Sequence, residues 1–220
     1  MRRLPVYILV DTSGSMRGEP INAVNSGLQA MLSAMRQDPY ALETIWLSII
    51  TFDVEAREYL PLPPLAKAVL EEIEDPNAGA TFLGAALKLL LICVERDVKK
   101  ATADLKGDWR PLLCVVTDGS PSDLQAYRDA IRQIRKLNLA AIIVCAVGPK
   151  AKVEILRELA DRVVAVDVAA LASFFQYTGH NIGLIGFGDM EAPASDGSSS
   201  LGVRDEIYLP PPPNEVRIVI

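Results

Sequence analysis

One histidine and three cysteines in 220 residues close off several kinds of chemistry at once. Cys93, Cys114 and Cys145 form no closely spaced pairs, which excludes a zinc site built from paired cysteines. An odd number with no regular framework fits buried free thiols in a reducing compartment. No Gly-x-Ser-x-Gly elbow occurs, and His180 is the sole base of its kind, so serine hydrolysis fits poorly. The Gly-x4-Gly-Lys-Ser/Thr phosphate loop is also missing. No apolar run approaches the ~20 residues needed to span a bilayer. Basic residues are outnumbered, 22 Lys and Arg against 28 Asp and Glu, for a net charge of −6. Their densest groups, Lys99-Lys100 and Arg132, Arg135 and Lys136, have the helical spacing of a solvated face. The concentrated basic surface that nucleic acid requires is therefore not expected. Arg2-Arg3 before Leu4–Val10 superficially resembles a secretory leader, but that run contains Pro5 and ends in Asp11. It reads as a first core strand, and the expected location is cytoplasmic.

What is present is apolar and periodic. Half the residues are hydrophobic and the mean hydropathy is +0.22, enough for a well-buried interior. Apolar runs at Leu4–Val10, Ile45–Phe52, Leu112–Thr117, Ala140–Val147 and Val163–Val166 read as strands. Helical stripes lie between them, such as Ile21, Val24, Leu28, Met31, Leu32 and Met35, or Leu83, Ala86, Leu87, Leu90, Leu91 and Val94. Leu65, Val69, Leu70 and Ile73 suggest a further short helix, and Ala169–Tyr177 a final one. Arg57–Leu60, with Pro61, Pro63 and Pro64 at its end, reads as an antiparallel edge strand. The expected fold class is α/β: a doubly wound, mostly parallel sheet with one antiparallel edge strand and helices on both faces. Residues 1–178 form the expected domain. Residues 179–220 read as a Gly/Ser/Pro-rich tail ending in a possible strand, Glu215–Ile220, that adds to its own sheet or to a partner's. Gly183, Gly186 and Gly188 read as linker.

Asp11-Thr12-Ser13-Gly14-Ser15 follows directly on the first strand, and Asp118-Gly119 follows the strand Leu112–Thr117. In the doubly wound order these two strands are neighbours across the point where strand order reverses, so their loops converge where such sheets bind ligands. Thr81 opens a helix leading into the Asp118 strand and belongs to the same end. Five oxygen donors, Asp11, Ser13, Ser15, Thr81 and Asp118, suit a small hard cation such as Mg²⁺, with Mn²⁺ or Ca²⁺ as other candidates. Ser13, Ser15 and Thr81 supply direct hydroxyls while Asp11 and Asp118 hold coordinated waters. So few direct anionic ligands leave room for an outside carboxylate. Asp53 reads as a hairpin-turn residue, and Ser122 or Asp123 as the cap of the helix that follows.

Taken together, D-x-S-x-S at Asp11, Ser13 and Ser15, Thr81 before a helix, and T-D-G at Thr117–Gly119 resemble the metal-ion-dependent adhesion site of von Willebrand factor type A domains. The likeness extends over roughly the first 177 residues. Met1–Asp11, Gln37–Thr44, Lys106–Pro111 and the proline-rich tail resemble the TerY-like branch, associated with bacterial tellurium-resistance and stress operons. The resemblance implies a non-enzymatic module that binds a Glu or Asp of a partner through the metal, with a kinase-like protein and a phosphatase of the same operon among the implied partners. The family commonly has a polar residue after this threonine; here Phe82 stands there, which makes the rim apolar. The competing expectation is a Mg²⁺-dependent phosphoryl-transfer enzyme of haloacid-dehalogenase type using Asp11. Ser13 occupies the place of its second, proton-donating Asp, which leaves the leaving group without help.

Overall fold

Five apolar segments build the centre of the molecule: Leu4–Asp11 (β1), Ile45–Phe52 (β2), Leu112–Thr117 (β4), Ala141–Val147 (β5) and Arg162–Val166 (β6). They pair in parallel, β2 and β4 on either side of β1, then β5 and β6. Ala56–Leu60 (β3) pairs antiparallel with β2 at one edge, as its prolines require. Val216–Val219 (β7) pairs antiparallel with β6 at the other, giving the order β3-β2-β1-β4-β5-β6-β7. The computed structural model describes residues 2–76, 79–148, 151–160, 162–187 and 216–219.

The sheet separates two cores by the alternation of side chains along each strand. Leu4, Val6, Ile8 and Val10 point to one face, where Glu19–Arg36 (α1) and Leu171–Phe187 (α6) cover them. Tyr7 and Leu9 point to the other, under Leu83–Asp97 (α3) and Leu124–Ile134 (α4). Cover on both faces explains why β1 and β4 are apolar throughout and buried throughout. Two short helices, Pro39–Thr44 (α2) and Val153–Leu156 (α5), complete the set among the described residues. Cys93, Cys114 and Cys145 are buried free thiols, as expected. No helix of the described residues is long and apolar enough to cross a membrane.

At the amino end of the sheet, Arg2 and Arg3 are structural. Arg3 donates twice to the Asp108 carboxylate, at 2.8 and 2.5 Å, and once to the Asp97 carbonyl at 2.7 Å. Its guanidinium lies 4.6 Å from the Trp46 ring centre, and that of Arg2 3.6 Å from the Trp109 ring centre. The side chains of Arg3 and Asp108 are 15% and 4% exposed, so deleting either one strands a buried charge.

Four expectations need correction. The stripe Leu65 to Ile73 makes only a single 3-10 turn, Leu65–Lys67. Beyond it the chain runs extended along α1, because α1 side chains take up its backbone groups: Asn25 exchanges two bonds with Ile73, Gln29 donates to the Leu70 carbonyl, and Arg36 to those of Leu65 and Ala68. The last helix does not stop at Tyr177 but continues as α6 through Gly183 and Gly186 to Phe187, past the expected domain boundary. A helix packed on a neighbour tolerates glycines that weaken an isolated one, and α1 and α6 come so close that a Cβ at Gly27 would meet the Phe175 ring at 2.3 Å. The sheet also has a second antiparallel edge, because the terminal strand lies on its own sheet. The fourth correction, to the role of Asp123, belongs to the site. Gly188, Asp189–Ser200 and Pro210–Pro213 of the expected tail lie outside the described residues.

Gly84 marks the closest approach of α3 and α4: a Cβ there would lie 2.3 Å from the Tyr127 backbone nitrogen. Neither backbone can yield, so Gly84→Ala is expected to cost about 1–3 kcal/mol despite alanine's better helix propensity. Denaturant unfolding of the two proteins measures it.

Candidate metal centre

Asp11 is the last residue of β1 and has no exposed surface. One carboxylate oxygen accepts from the Ser13 backbone N–H at 2.8 Å, and the other accepts from the Thr117 hydroxyl at 2.5 Å. The first bond bends the chain into the loop; the second ties the ends of β1 and β4 together across the reversal point. The loop then closes in a short turn, Gly14–Met16, anchored by the fully buried Met16. That turn brings the Ser13 and Ser15 hydroxyls to 3.2 Å, and Ser15 donates to Asp118 Oδ1 at 2.7 Å. Ser13 and Asp118 are nearly buried, at 2% and 9% exposure, and Ser15 is exposed.

Thr81 arrives from a third direction and is held on both sides. The Phe82 N–H donates to the Asp53 carbonyl and the Ser122 N–H to the Thr81 carbonyl, both at 2.8 Å. Gly14 N–H donates to the Gly79 carbonyl at 3.2 Å, which joins this loop to the first. The Thr81 hydroxyl looks across at Gly119, where a Cβ would sit only 3.1 Å from it. Glycine after Asp118 therefore keeps the Thr81 oxygen uncrowded. All five residues expected at the site meet at one end of the sheet.

Asp123 does not cap its own helix. Its two oxygens accept from Gly84 and Ala85 N–H of α3, at 3.0 and 2.9 Å, while α4 begins without a side-chain cap. The α3 N-terminus starts at Phe82, which has no capping oxygen, so its free N–H groups and dipole draw the carboxylate from the neighbouring helix. Asp53 makes the expected turn, accepting from the Glu55 N–H at 2.9 Å. Thr117 and Asp123 are the contributors that sequence reasoning missed as site residues. A hydroxyl on the last residue of an otherwise apolar strand was the signal for Thr117; nothing local signals the cross-helix role of Asp123.

The electrostatics are those of a place short of positive charge. Burial pushes Asp11 up from 3.8 to about 6, against the pull of the Thr117 and Ser13 hydrogen bonds, and the nearby Asp118 charge adds to the rise. No cationic side chain figures among these causes. No ion pair of the described residues includes Asp11 or Asp118. The described residues also hold no cluster of three or more His, Cys, Asp or Glu able to bind a metal. A cation here depends on hydroxyl oxygens beside two carboxylates, a donor set that matches hard ions.

A carboxyl pKa raised by folding contributes stability below about pH 4, and that contribution is lost as pH climbs through about 6. In chelator, Asp11→Asn is expected to remove this decline and to gain about 1–3 kcal/mol at pH 8 relative to the parent. Unfolding curves from pH 4 to 8 check it; an unchanged pH slope contradicts it.

Comparison with known proteins agrees with this architecture. Solved structures with the same fold include a von Willebrand factor type A protein from Catenulispora acidiphila, at 15% identity and a TM-score of 0.61 over 82% of this chain and 42% of that one. The pilus adhesin SpaC of Lactobacillus rhamnosus GG gives 11% and 0.67 over 83% of this chain and 31% of that one. Proximal thread matrix protein 1 from the mussel byssus, solved with a zinc-occupied MIDAS motif, gives 14% and 0.57 over 83% and 48%. This chain thus spans less than half the length of each of these structures, and at such identities the likeness is one of fold. No curated protein matches it. The von Willebrand factor type A domain family matches residues 6–178, most of the chain and all five residues at this end of the sheet; the protein belongs to that family.

Proposed function

We propose that this protein is a metal-dependent binding module in which Ser13, Ser15 and Thr81 hold Mg²⁺ directly and Asp11 and Asp118 hold its waters. One observation carries the reading: a fully buried carboxylate, Asp11, shares an oxygen-lined corner with Asp118 and three hydroxyls, and among the described residues it forms no ion pair. An uncompensated buried anion is costly, and a divalent cation removes that cost. The mussel byssus protein, similar in fold, carries a zinc-occupied MIDAS motif, which supports a divalent ion in this chain. When bound, the ion supplies a Lewis-acidic position for an outside carboxylate. The chain's own residues orient the hydroxyls and keep the carboxylates out of direct contact.

A phosphatase reading fits the geometry less well. A nucleophilic Asp11 needs an oxygen open to phosphorus, whereas both of its oxygens accept hydrogen bonds and neither reaches the surface. In the adhesion reading the chain is a TerY-like member of a bacterial tellurium-resistance or stress system, binding an acidic residue of a kinase-like protein or a phosphatase encoded beside it. Support for that assignment comes from the sequence segments Met1–Asp11, Gln37–Thr44 and Lys106–Pro111.

Millimolar Mg²⁺ or Mn²⁺ is expected to raise the melting temperature, since a ligand held only by the folded state stabilises it, by about 2.7 kcal/mol at a hundred times its Kd. Ser15→Ala, at an exposed position, is expected to weaken the rise, and Asp11→Ala to abolish it. Differential scanning fluorimetry with and without chelator reads both. An equal response in Asp11→Ala would place the ion elsewhere.

A further inference from the structure

Of the oxygen donors at this end of the sheet, most are tied in place through their own side chains. Asp11 accepts from Ser13 and Thr117, the Ser13 and Ser15 hydroxyls lie 3.2 Å apart, and Ser15 donates to Asp118. Thr81 differs: among the described residues its hydroxyl makes no hydrogen bond, so its place is set through the backbone around it. That backbone is fastened to the loop that carries Asp118. The Ser122 N–H donates to the Thr81 carbonyl at 2.8 Å, and the next residue, Asp123, accepts from Gly84 and Ala85 N–H at 3.0 and 2.9 Å. Gly84 makes room for this carboxylate, since a Cβ there would lie 2.7 Å from Asp123 Oδ2. Asp123 is half-buried and, among the described residues, joins no ion pair. Three hydrogen bonds thus join segment 81–85 to segment 118–123, and Asp123 makes two of them. An oxygen donor of the centre stands at the head of each segment.

Resting on the metal reading above, we propose that Asp123 is a positioning residue for the centre: by locking the Thr81 segment to the Asp118 loop it favours Mg²⁺ over Ca²⁺. The two ions differ in what they tolerate. Mg²⁺ demands near-octahedral oxygens at about 2.0–2.1 Å, whereas Ca²⁺ accepts larger, irregular shells at about 2.3–2.6 Å. Without Asp123, Thr81 keeps only its carbonyl bond to Ser122, a single tie about which the segment can turn. A misplaced hydroxyl costs the smaller, stricter ion more. A purely electrostatic role for Asp123 has a different signature, because losing one negative charge weakens the two divalent ions alike. Groups that hold metal ligands in place without touching the metal are worth about 10–100-fold in affinity.

Isothermal titration of the metal-stripped full chain with Mg²⁺ and with Ca²⁺ tests this. Asp123→Ala is expected to bind Mg²⁺ about 10-fold or more weakly than the parent, and Ca²⁺ weaker by about 3-fold or less. Asp123→Asn offers one acceptor where the carboxylate has two, and is expected to fall between, with Mg²⁺ weakened about 5-fold. It matches the parent in shape, so the comparison survives if the alanine variant does not fold. Asp38→Ala serves as the control: Asp38 caps α2, which leads into the start of β2 at the other end of the sheet, by accepting from Tyr40 N–H at 2.9 Å. Its loss removes a helix cap as well, but is expected to leave both affinities unchanged. An equal fall for both ions in the Asp123 variants, Mg²⁺ binding unaltered in them, or the same pattern in Asp38→Ala would each overturn the proposal. A parent chain that binds neither ion would instead bring down the metal reading, and this proposal with it.

Discussion

The carboxylate of Asp11 is the fixed point of this molecule. It lies where β1 and β4 diverge, and its two oxygens are committed to the backbone of its own loop and to the hydroxyl that ends the neighbouring strand. Those bonds define where Ser13 and Ser15 stand relative to Asp118. They also leave a buried negative charge with hydrogen-bond donors but, among the described residues, no ion pair, a balance that hydrogen bonds relieve only in part. The chemistry of the carboxyl end of the sheet follows from that deficit.

The rest of the scaffold serves to bring distant segments to this corner and keep them there. Thr81 is the clearest case. It follows the stretch 68–76, which α1 grips through Asn25, Gln29 and Arg36, and its own neighbours are tied to Asp53 and Ser122. Asp123 completes the placement by capping α3 from outside it, so the two helix starts act as one unit. At the amino end, Arg3 clamps Asp108 and the carbonyl end of α3. The two ends of the sheet differ in kind: strong charged pairs close one, and small neutral donors beside unpaired carboxylates line the other.

The comparisons establish the family and the fold, and the residues of this chain add what the family name does not contain. Phe82 stands half-buried directly after Thr81, so the residue that follows the threonine adds no polar side chain to the centre.

Sequence alone determined the alternation of strand and helix, because a strand covered on both faces has to be apolar throughout and a helix covered on one side has to be striped. It also placed Asp11, Ser13, Ser15, Thr81 and Asp118 at one end of the sheet, since β1 ends in Asp11, Asp118 follows β4, and a doubly wound order brings those ends together. Three things escaped it for a common reason. The extended run after Leu65 has helical periodicity, but its backbone is satisfied by side chains of α1 far away in the chain. Asp123 has the look of a local cap, but the uncapped α3 start next to it competes for the same oxygens. The glycines of α6 read as linker, but α1 lies against that helix closely enough to hold it. Local pattern reports the preferences of a segment; which partner wins a hydrogen bond or a packing face is decided only when the folded chain brings the competitors together.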